Sequence, residues 1–336
     1  MKDFSNWGIR RRYSKEHNYN AFWLDLKTIR FGEGDINMLP PEYSEFYDVG
    51  LGTKCETSCY RIDKDGKEYL GKSACPFCYV SANPNGEYYE DICETWKKWM
   101  ESDNFFEHTA DSGIVTTNKP FCIAIGSSNE PTEHPQFCDF LRTVYFSKVV
   151  PSYTTNGAIL SAYNKPESKY YQLSHDIIVA TQRYVGGVAV SFGNKALRPF
   201  AEEAVNVLLE HGECKVNIHH IISTKSSVDE FISIQKKYGN KIDYHVLLPL
   251  MPNGRSKKGM EDGVFEYLEE MILKNKIKNV SFGAHFIEHL NKSKLKTWKY
   301  PAETLSKNII LTKDLIQITP SSFDMKPIKT IKLCGY

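Results

Sequence analysis

The stretch VGGVAVSFGNKALRPFAEEAVNVLLEHGECKVNIHHIISTKSSVDEFISIQKKYGNKIDYHVLLPL, from Val185 to Leu250, decides the fold class. Three runs in it, Val185–Phe192, Lys215–Ile222 and Ile242–Leu250, are short and rich in Val, Ile and Leu. Branched apolar side chains suit a pleated, buried strand. Between them, Arg198–Glu210 and Ser227–Tyr238 repeat their apolar residues at helical spacing, and the first stops at Gly212, a C-cap residue. Strand, helix, strand, helix, strand with apolar strands is the pattern of a parallel sheet buried on both faces.

The same alternation extends outward. Tyr47–Gly52, Phe121–Gly126 and Val149–Tyr153 are strand candidates upstream, with an amphipathic stretch over Gln136–Phe146. Downstream, Met260–Lys274 predicts a helix and Asn279–Ala284 a strand. From Phe121 the strand starts recur about every 30 residues, the size of a βα unit, so about six or seven units fit. The expectation is an α/β fold, a partial (β/α)6-type TIM barrel of parallel strands with a small C-terminal appendage. An open doubly wound sheet is the alternative. Residues 1–44 are expected to form an aromatic-rich N-terminal extension, 45–285 the barrel and 286–336 the appendage. The appendage contains a hairpin over Lys307–Pro320 that turns at Lys313-Asp314. In barrels of this kind the chemistry sits on the rim where the strands end.

Hydrophobic residues at 41% and charged residues at 25% fit an ordinary globular chain. A net charge of +1 gives no long-range pull toward nucleic acid or membrane. No segment reaches the roughly 18 apolar residues of a membrane span. Arg10, Arg11 and Arg12 are not followed by the apolar run of a secretion signal. The expected location is the cytoplasm, where disulfides are rare and clustered cysteines are ligands or catalytic groups. Of nine cysteines, Cys55, Cys59, Cys75 and Cys78 cluster. Cys93, Cys122, Cys138, Cys214 and Cys334 are dispersed and are expected to be small buried hydrophobes.

The cluster lies in TKCETSCYRIDKDGKEYLGKSACPFCYV, Thr53–Val80. Thiolates suit iron–sulfur clusters and zinc alike. Asp65-Gly66, between Tyr60–Asp63 and Glu68–Leu70, predicts a hairpin whose stems bring Cys59 and Cys75 together. Deleting Tyr60–Cys75 leaves CETSCPFCY, and deleting Glu56–Gly71 leaves CKSACPFCY. Both are C-x3-C-x2-C. The segment therefore resembles the cluster motif of radical S-adenosylmethionine (radical SAM) enzymes, interrupted by an insertion. The resemblance implies Cys55 as first ligand and Cys78 as third, with Cys75 preferred over Cys59 as second because Pro76-Phe77-Cys78-Tyr79 continues from it unbroken. A register of Cys59, Cys75 and Cys78 matches families with a longer first gap. The competing reading is a zinc ribbon, C-x3-C, hairpin, C-x2-C, in a binding protein without radical chemistry.

Further motifs carry the resemblance along successive strands. Ile125–Pro135, IGSSNEPTEHP, resembles the Gly-Gly-Glu-Pro motif that holds the cofactor's methionine amine. It implies Gly126, Ser128, Asn129 and Glu130 as contacts, with Ser128 and Asn129 near the usual glycines. Tyr153–Gly157, YTTNG, matches a Thr-Asn-Gly common at the third strand and implies Thr155 and Asn156. Ser191 stands where a polar residue often meets the ribose or carboxylate. Asn217 and His219 share one face of a strand, since strand side chains alternate. Phe77 and Tyr79 flank the last cysteine, where they shield the cluster or pack on adenine. Arg255, in the basic loop LMPNGRSKK, pairs with a substrate carboxylate or phosphate or belongs to a solvated charge run.

The resemblance implies a [4Fe–4S] cluster held by three thiolates, its fourth iron chelated by S-adenosyl-L-methionine. It implies a one-electron donor such as flavodoxin or ferredoxin, and reductive cleavage to a 5′-deoxyadenosyl radical that abstracts hydrogen from substrate. A peptide, a nucleoside and a small metabolite are all open as substrate. A cluster protein that has lost turnover is the other rival, given the altered glycine positions. Ile318–Asp324, ITPSSFD, resembles the C-terminal Pro-Cys-Ser pattern of some family members with Ser321 in the cysteine's place, so a second cluster there lacks ligands.

Overall fold

The computed structural model describes residues 4–15, 19–31, 44–63, 67–71, 74–295 and 306–333. The Asp65-Gly66 turn and Cys334 lie outside the described residues. In chain order, β1 (Arg10–Ser14), β2 (Tyr19–Leu24) and β3 (Lys27–Phe31) make an antiparallel meander. β4 (Phe46–Gly50) leads to the hairpin β5 (Tyr60–Ile62) and β6 (Glu68–Leu70), then α1 (Ile92–Glu101). A second hairpin, β7 (Glu107–Thr109) and β8 (Val115–Thr117), returns to the meander through a parallel β1–β8 pairing. The N-terminal arginines are structural there. Arg10, 1% exposed, pairs with Glu107 at 3.3 Å, and Arg12 donates to the Asn118 carbonyl at 2.7 Å and lies over the Phe121 ring.

The remaining elements alternate, with α3 and α7 added to those expected: β9 (Cys122–Ile125), α2 (Phe137–Phe146), β10 (Val150–Thr155), α3 (Tyr171–Tyr184), β11 (Gly187–Ser191), α4 (Arg198–His211), β12 (Lys215–Ile222), α5 (Lys225–Tyr238), β13 (Tyr244–Pro249), α6 (Val264–Lys274), β14 (Val280–Phe282) and α7 (Ile287–Lys292). β15 (Ser306–Thr312), β16 (Leu315–Thr319) and β17 (Lys329–Lys332) close the chain of elements, with the expected hairpin turning at Lys313-Asp314. The large sheet runs β14-β13-β12-β11-β10-β9-β4-β15-β16-β17. From β14 to β15 every pairing is parallel, and only β16 and β17 are antiparallel. The order from β4 to β14 never reverses, which excludes the doubly wound alternative, since that fold reverses at a switch point. One hand of crossover then keeps the helices on one face. Among the described residues β14 and β17 do not pair, so the sheet is an open, mostly parallel arc and not a closed barrel.

β12 shows how the sheet splits its two faces. Val216, Ile218, His220 and Ile222 are buried, while Asn217, His219 and Ile221 are only half-buried. His220 meets the Phe231 ring of α5 at 5.1 Å, which identifies the buried side as the helix side. The expectation of two fully buried faces is therefore corrected: the concave face carries polar residues and leaves room. On the helix side Val188, Val190 and Ile218 pack with Ala201, Ala204 and Val205 in one continuous core. Burying each such Val or Ile contributes about 1.5–3 kcal/mol.

Candidate functional site

Parallel strands deliver their C-terminal ends to one rim, and the cysteine loop lies across it. The loop leaves β4 through Gly52, whose φ is +155° and whose absent Cβ would lie 2.4 Å from the Glu87 carbonyl. Thr53 N donates to that same carbonyl at 2.8 Å, and Cys55 N donates to the Asn83 carbonyl at 2.9 Å. A 3-10 turn over Thr57–Cys59 follows, with Ser58 Oγ donating to the Cys55 carbonyl at 2.8 Å. Glu133 clamps this turn. Its carboxylate accepts from Glu56 N at 2.8 Å, from Thr57 N at 2.7 Å and from the Thr57 hydroxyl.

The four cysteines separate into two groups. Cys55, Cys75 and Cys78 are half-buried, and Cys78 acts electrostatically on both of the others. Burial and then Glu133 and Glu130 push the Cys55 thiol well up. Burial and then Cys78 push Cys75 up to about 11, against a 3.3 Å hydrogen bond from Asn194 Nδ2 to its sulfur. Cys59 is 1% exposed and is fixed in the backbone of the inserted hairpin, its carbonyl accepting from Gly71 N at 2.7 Å. Among the described residues no three His, Cys, Asp or Glu side chains stand close enough to share a single metal ion.

The segment after β9 is stitched to the start of the cysteine loop. Gly126 has φ +119°, and a Cβ there would lie 2.8 Å from the Thr154 carbonyl, so glycine is required. Ser128 Oγ donates to the Gly52 carbonyl at 2.8 Å, and Asn129 Oδ1 accepts from Leu51 N at 3.3 Å. The departure from glycine at these positions thus has a structural use. Glu130 is 4% exposed. One oxygen caps the turn Pro131–Glu133 by accepting from Thr132 N at 3.3 Å and the Thr132 hydroxyl at 2.7 Å, and the other accepts from Asn156 N at 2.7 Å. No cation of the described residues pairs with it. Burial and then Glu133 push its carboxyl up to about 7.

At the end of β10, Asn156 Nδ2 donates to the Thr57 hydroxyl at 2.8 Å, tying this strand to the cysteine turn. Thr155 is paired in register with Val190 and buried, its hydroxyl accepting from Gly157 N at 3.1 Å. Half-buried Thr154 is therefore the neighbour that shares the concave face with Ala189. Ser191 and His219 are register partners on that face, and burial lowers His219 to about 4. Asn217 lies on the same face nearer the strand start, where its Oδ1 accepts from Tyr244 N at 3.1 Å. His220 turns away, its Nε2 2.9 Å from Nδ1 of His245 in the core.

Phe77 forms one wall of a cavity of about 220 Å³ at the ends of β11, β12 and β13, together with Gly193, Ile221, Ser223 and Leu250. Tyr79 donates from its hydroxyl to the Ser127 carbonyl at 2.8 Å and stacks on Phe323 at 4.5 Å. Phe323 also meets His285 edge-on at 4.5 Å, and its carbonyl accepts from Asn253 Nδ2 at 3.3 Å. The C-terminal segment thereby bridges the rim from the cysteine loop to β14. Ser321 uses its hydroxyl locally, accepting from Phe323 N at 3.3 Å and Asp324 N at 3.2 Å. Sequence reasoning missed Glu133, Thr154, Asn194 and Phe323. Glu133, Thr154 and Phe323 stood in segments already singled out, IGSSNEPTEHP, YTTNG and ITPSSFD, whereas nothing marked Asn194 as a partner of the cysteine loop.

No protein-family model matches the chain, and no curated protein sequence matches it. Among solved structures, SuiB of Streptococcus suis bound to the precursor peptide SuiA is similar over 84% of this chain and 60% of its own, at 15% identity and a TM-score of 0.53. SuiB bound to S-adenosylmethionine is similar over 83% and 60%, at 14% identity and a TM-score of 0.52. The chain thus spans 60% of the length of the protein it matches, and what the two share is the fold.

Proposed function

We propose that this chain is a radical SAM enzyme in which Cys55, Cys75 and Cys78 hold a [4Fe–4S] cluster. The observation that carries this reading is the sorting of the thiols: half-buried Cys55, Cys75 and Cys78 lie in one loop at the rim, with Cys78 acting electrostatically on both of the others, while Cys59 is withdrawn. When bound, the cluster and S-adenosyl-L-methionine would supply one-electron cleavage of the C5′–S bond and a 5′-deoxyadenosyl radical that removes hydrogen from substrate. The residues present fit these groups. Three thiolates suit the cluster and leave one iron free. A buried carboxylate that pairs with no cation among the described residues, Glu130, suits an ammonium.

The chain's own part is to bind, orient and exclude water. Glu133 and Asn156 hold the cysteine turn. Glu130 takes the cofactor amine, with Gly126, Ser128 and Asn129 shaping the backbone beside it. Ser191, Asn217 and His219 line the concave face, and Phe77 offers an aromatic wall to adenine in the 220 Å³ cavity. Tyr79, braced on Phe323, covers the cluster side. A reduced flavodoxin or ferredoxin is the electron source this reading requires. A peptide is the first substrate class to test, because SuiB, similar in fold, binds a precursor peptide.

The test is anaerobic reconstitution with iron and sulfide, then a visible spectrum, iron analysis and an assay for 5′-deoxyadenosine with a chemical reductant. The expected result is a brown protein with about four irons per chain that cleaves the cofactor. A colourless protein carrying stoichiometric zinc and resisting reconstitution refutes the reading.

A further inference from the structure

We propose that Arg255 is a positioning residue for the cysteine loop and the fixed cation that offsets the negative charge gathered there. This rests on the cluster reading above. The loop after β13 meets the cysteine loop by two hydrogen bonds from Arg255 itself: its N donates to the Cys78 carbonyl at 3.0 Å, and its Nε donates to the Cys75 carbonyl at 2.7 Å. Gly254 permits this approach. Its φ is +59°, and a Cβ there would lie 2.3 Å from the Tyr79 carbonyl oxygen and 2.4 Å from that of Cys78.

The guanidinium is not used up by these contacts. Its Nη2 is buried and has no hydrogen-bond partner among the described residues. A buried donor left unpaired is costly, and a charged one more so, which makes an anion beside it favourable. Among the described residues no carboxylate supplies that anion. Glu130 and Glu133 act on Cys55, whereas Arg255 acts on Cys75. The site is therefore polarised, with carboxylates toward the first thiol and a guanidinium toward the second. Three thiolates around one cluster carry excess negative charge. A cation held in a half-buried place stabilises the more negative, reduced form more than the oxidised form. Its removal should lower the reduction potential without changing the iron content.

The experiment compares wild type, Arg255→Gln and Arg255→Lys after anaerobic reconstitution with iron and sulfide. Iron is counted, and the cluster is titrated redox-wise while its electron paramagnetic resonance signal is followed. The expected result is a full cluster in all three, a potential shifted negative in the glutamine variant and the wild-type potential in the lysine variant. If only the glutamine variant fails to load, the requirement for positive charge is supported in another form. A loaded glutamine variant with wild-type potential overturns the proposal. Failure of both variants to load, with native circular dichroism, leaves Arg255 a clamp on the cysteine loop and overturns its role as the charge-balancing cation. A wild-type protein that takes up no iron and sulfide refutes the cluster reading instead.

Discussion

Replacing Glu130 with glutamine probes the one carboxylate that serves both the fold and the proposed cofactor. Its carboxyl stands at about 7, raised from 4.5 first by burial and then by Glu133. Between those two values the folded chain keeps a proton that the unfolded chain releases. The folded state then binds more protons, so stability falls as pH rises through the window, and the loss is complete above about 7. At about 1.4 kcal/mol per pH unit the loss is on the order of 3 kcal/mol. Glutamine carries no charge and escapes that loss, but it forfeits an acceptor now filled by Thr132 or Asn156, at a cost of about 1–3 kcal/mol at every pH. Wild type should therefore exceed Glu130→Gln in stability at pH 5, and the margin should vanish or reverse by pH 8. Urea midpoints of both proteins at pH 5, 6, 7 and 8, without added cofactor, read this out. Adding S-adenosyl-L-methionine supplies the missing cation, so wild-type affinity should rise with pH through 7. The variant should bind more weakly by about 1.5–3 kcal/mol, roughly 10- to 150-fold. Parallel pH profiles together with equal affinities would refute the reasoning, and Glu130 would be a cap and nothing more.

Three further outcomes follow from the same geometry. Cys55→Ala, Cys75→Ala and Cys78→Ala should each abolish the reconstituted cluster spectrum, while Cys59→Ala should retain it; equal loss in all four would defeat the three-ligand arrangement. Glu133→Ala removes the acceptor of two backbone N–H groups and of the Thr57 and Tyr88 hydroxyls, so it should lower stability by about 2–4 kcal/mol and reduce iron uptake, both measurable on one preparation. Gly157→Ala sets a Cβ 2.9 Å from both Ala201 Cα and Ala204 Cβ at φ +84°, so the thermal midpoint should fall by an amount equivalent to about 1–3 kcal/mol, and an unchanged midpoint would show that α4 yields freely.

What the sequence made legible was local. The bounds of β12 are those expected from KVNIHHII, and the hairpin flanking Asp65-Gly66 and the C-terminal hairpin both form. Helix α3 was not legible because its buried stripe mixes Ser174 and Thr181 with Ile177 and Ile178, which breaks the apolar period. Thr155, expected as a contact, is buried with its side chain hydrogen-bonded to Glu130, and it is the half-buried Thr154 that the pleat turns to the concave face. The rest was long-range. Asn194 reaches the Cys75 sulfur, Arg255 its carbonyl and Phe323 the Tyr79 ring, and in a one-dimensional reading nothing links those positions. The second cysteine was left open for a related reason. Two deletions give the same spacing, and only burial separates a withdrawn thiol from one at the rim.

Strand β4 lies between β9 and β15, with Asp48 opposite Ala124 on one side and Asn308 on the other. During synthesis its first neighbour emerges early and its second only near the far end of the 336 residues. At about 5–20 residues per second that interval is on the order of tens of seconds. Throughout it β4 is an open edge, with unpaired backbone groups beside a loop carrying four thiols, a combination that invites both pairing with other chains and oxidation. Slow translation or high expression level should therefore raise the insoluble, disulfide-linked fraction, while anaerobic growth at low expression level should favour the metal-ready form.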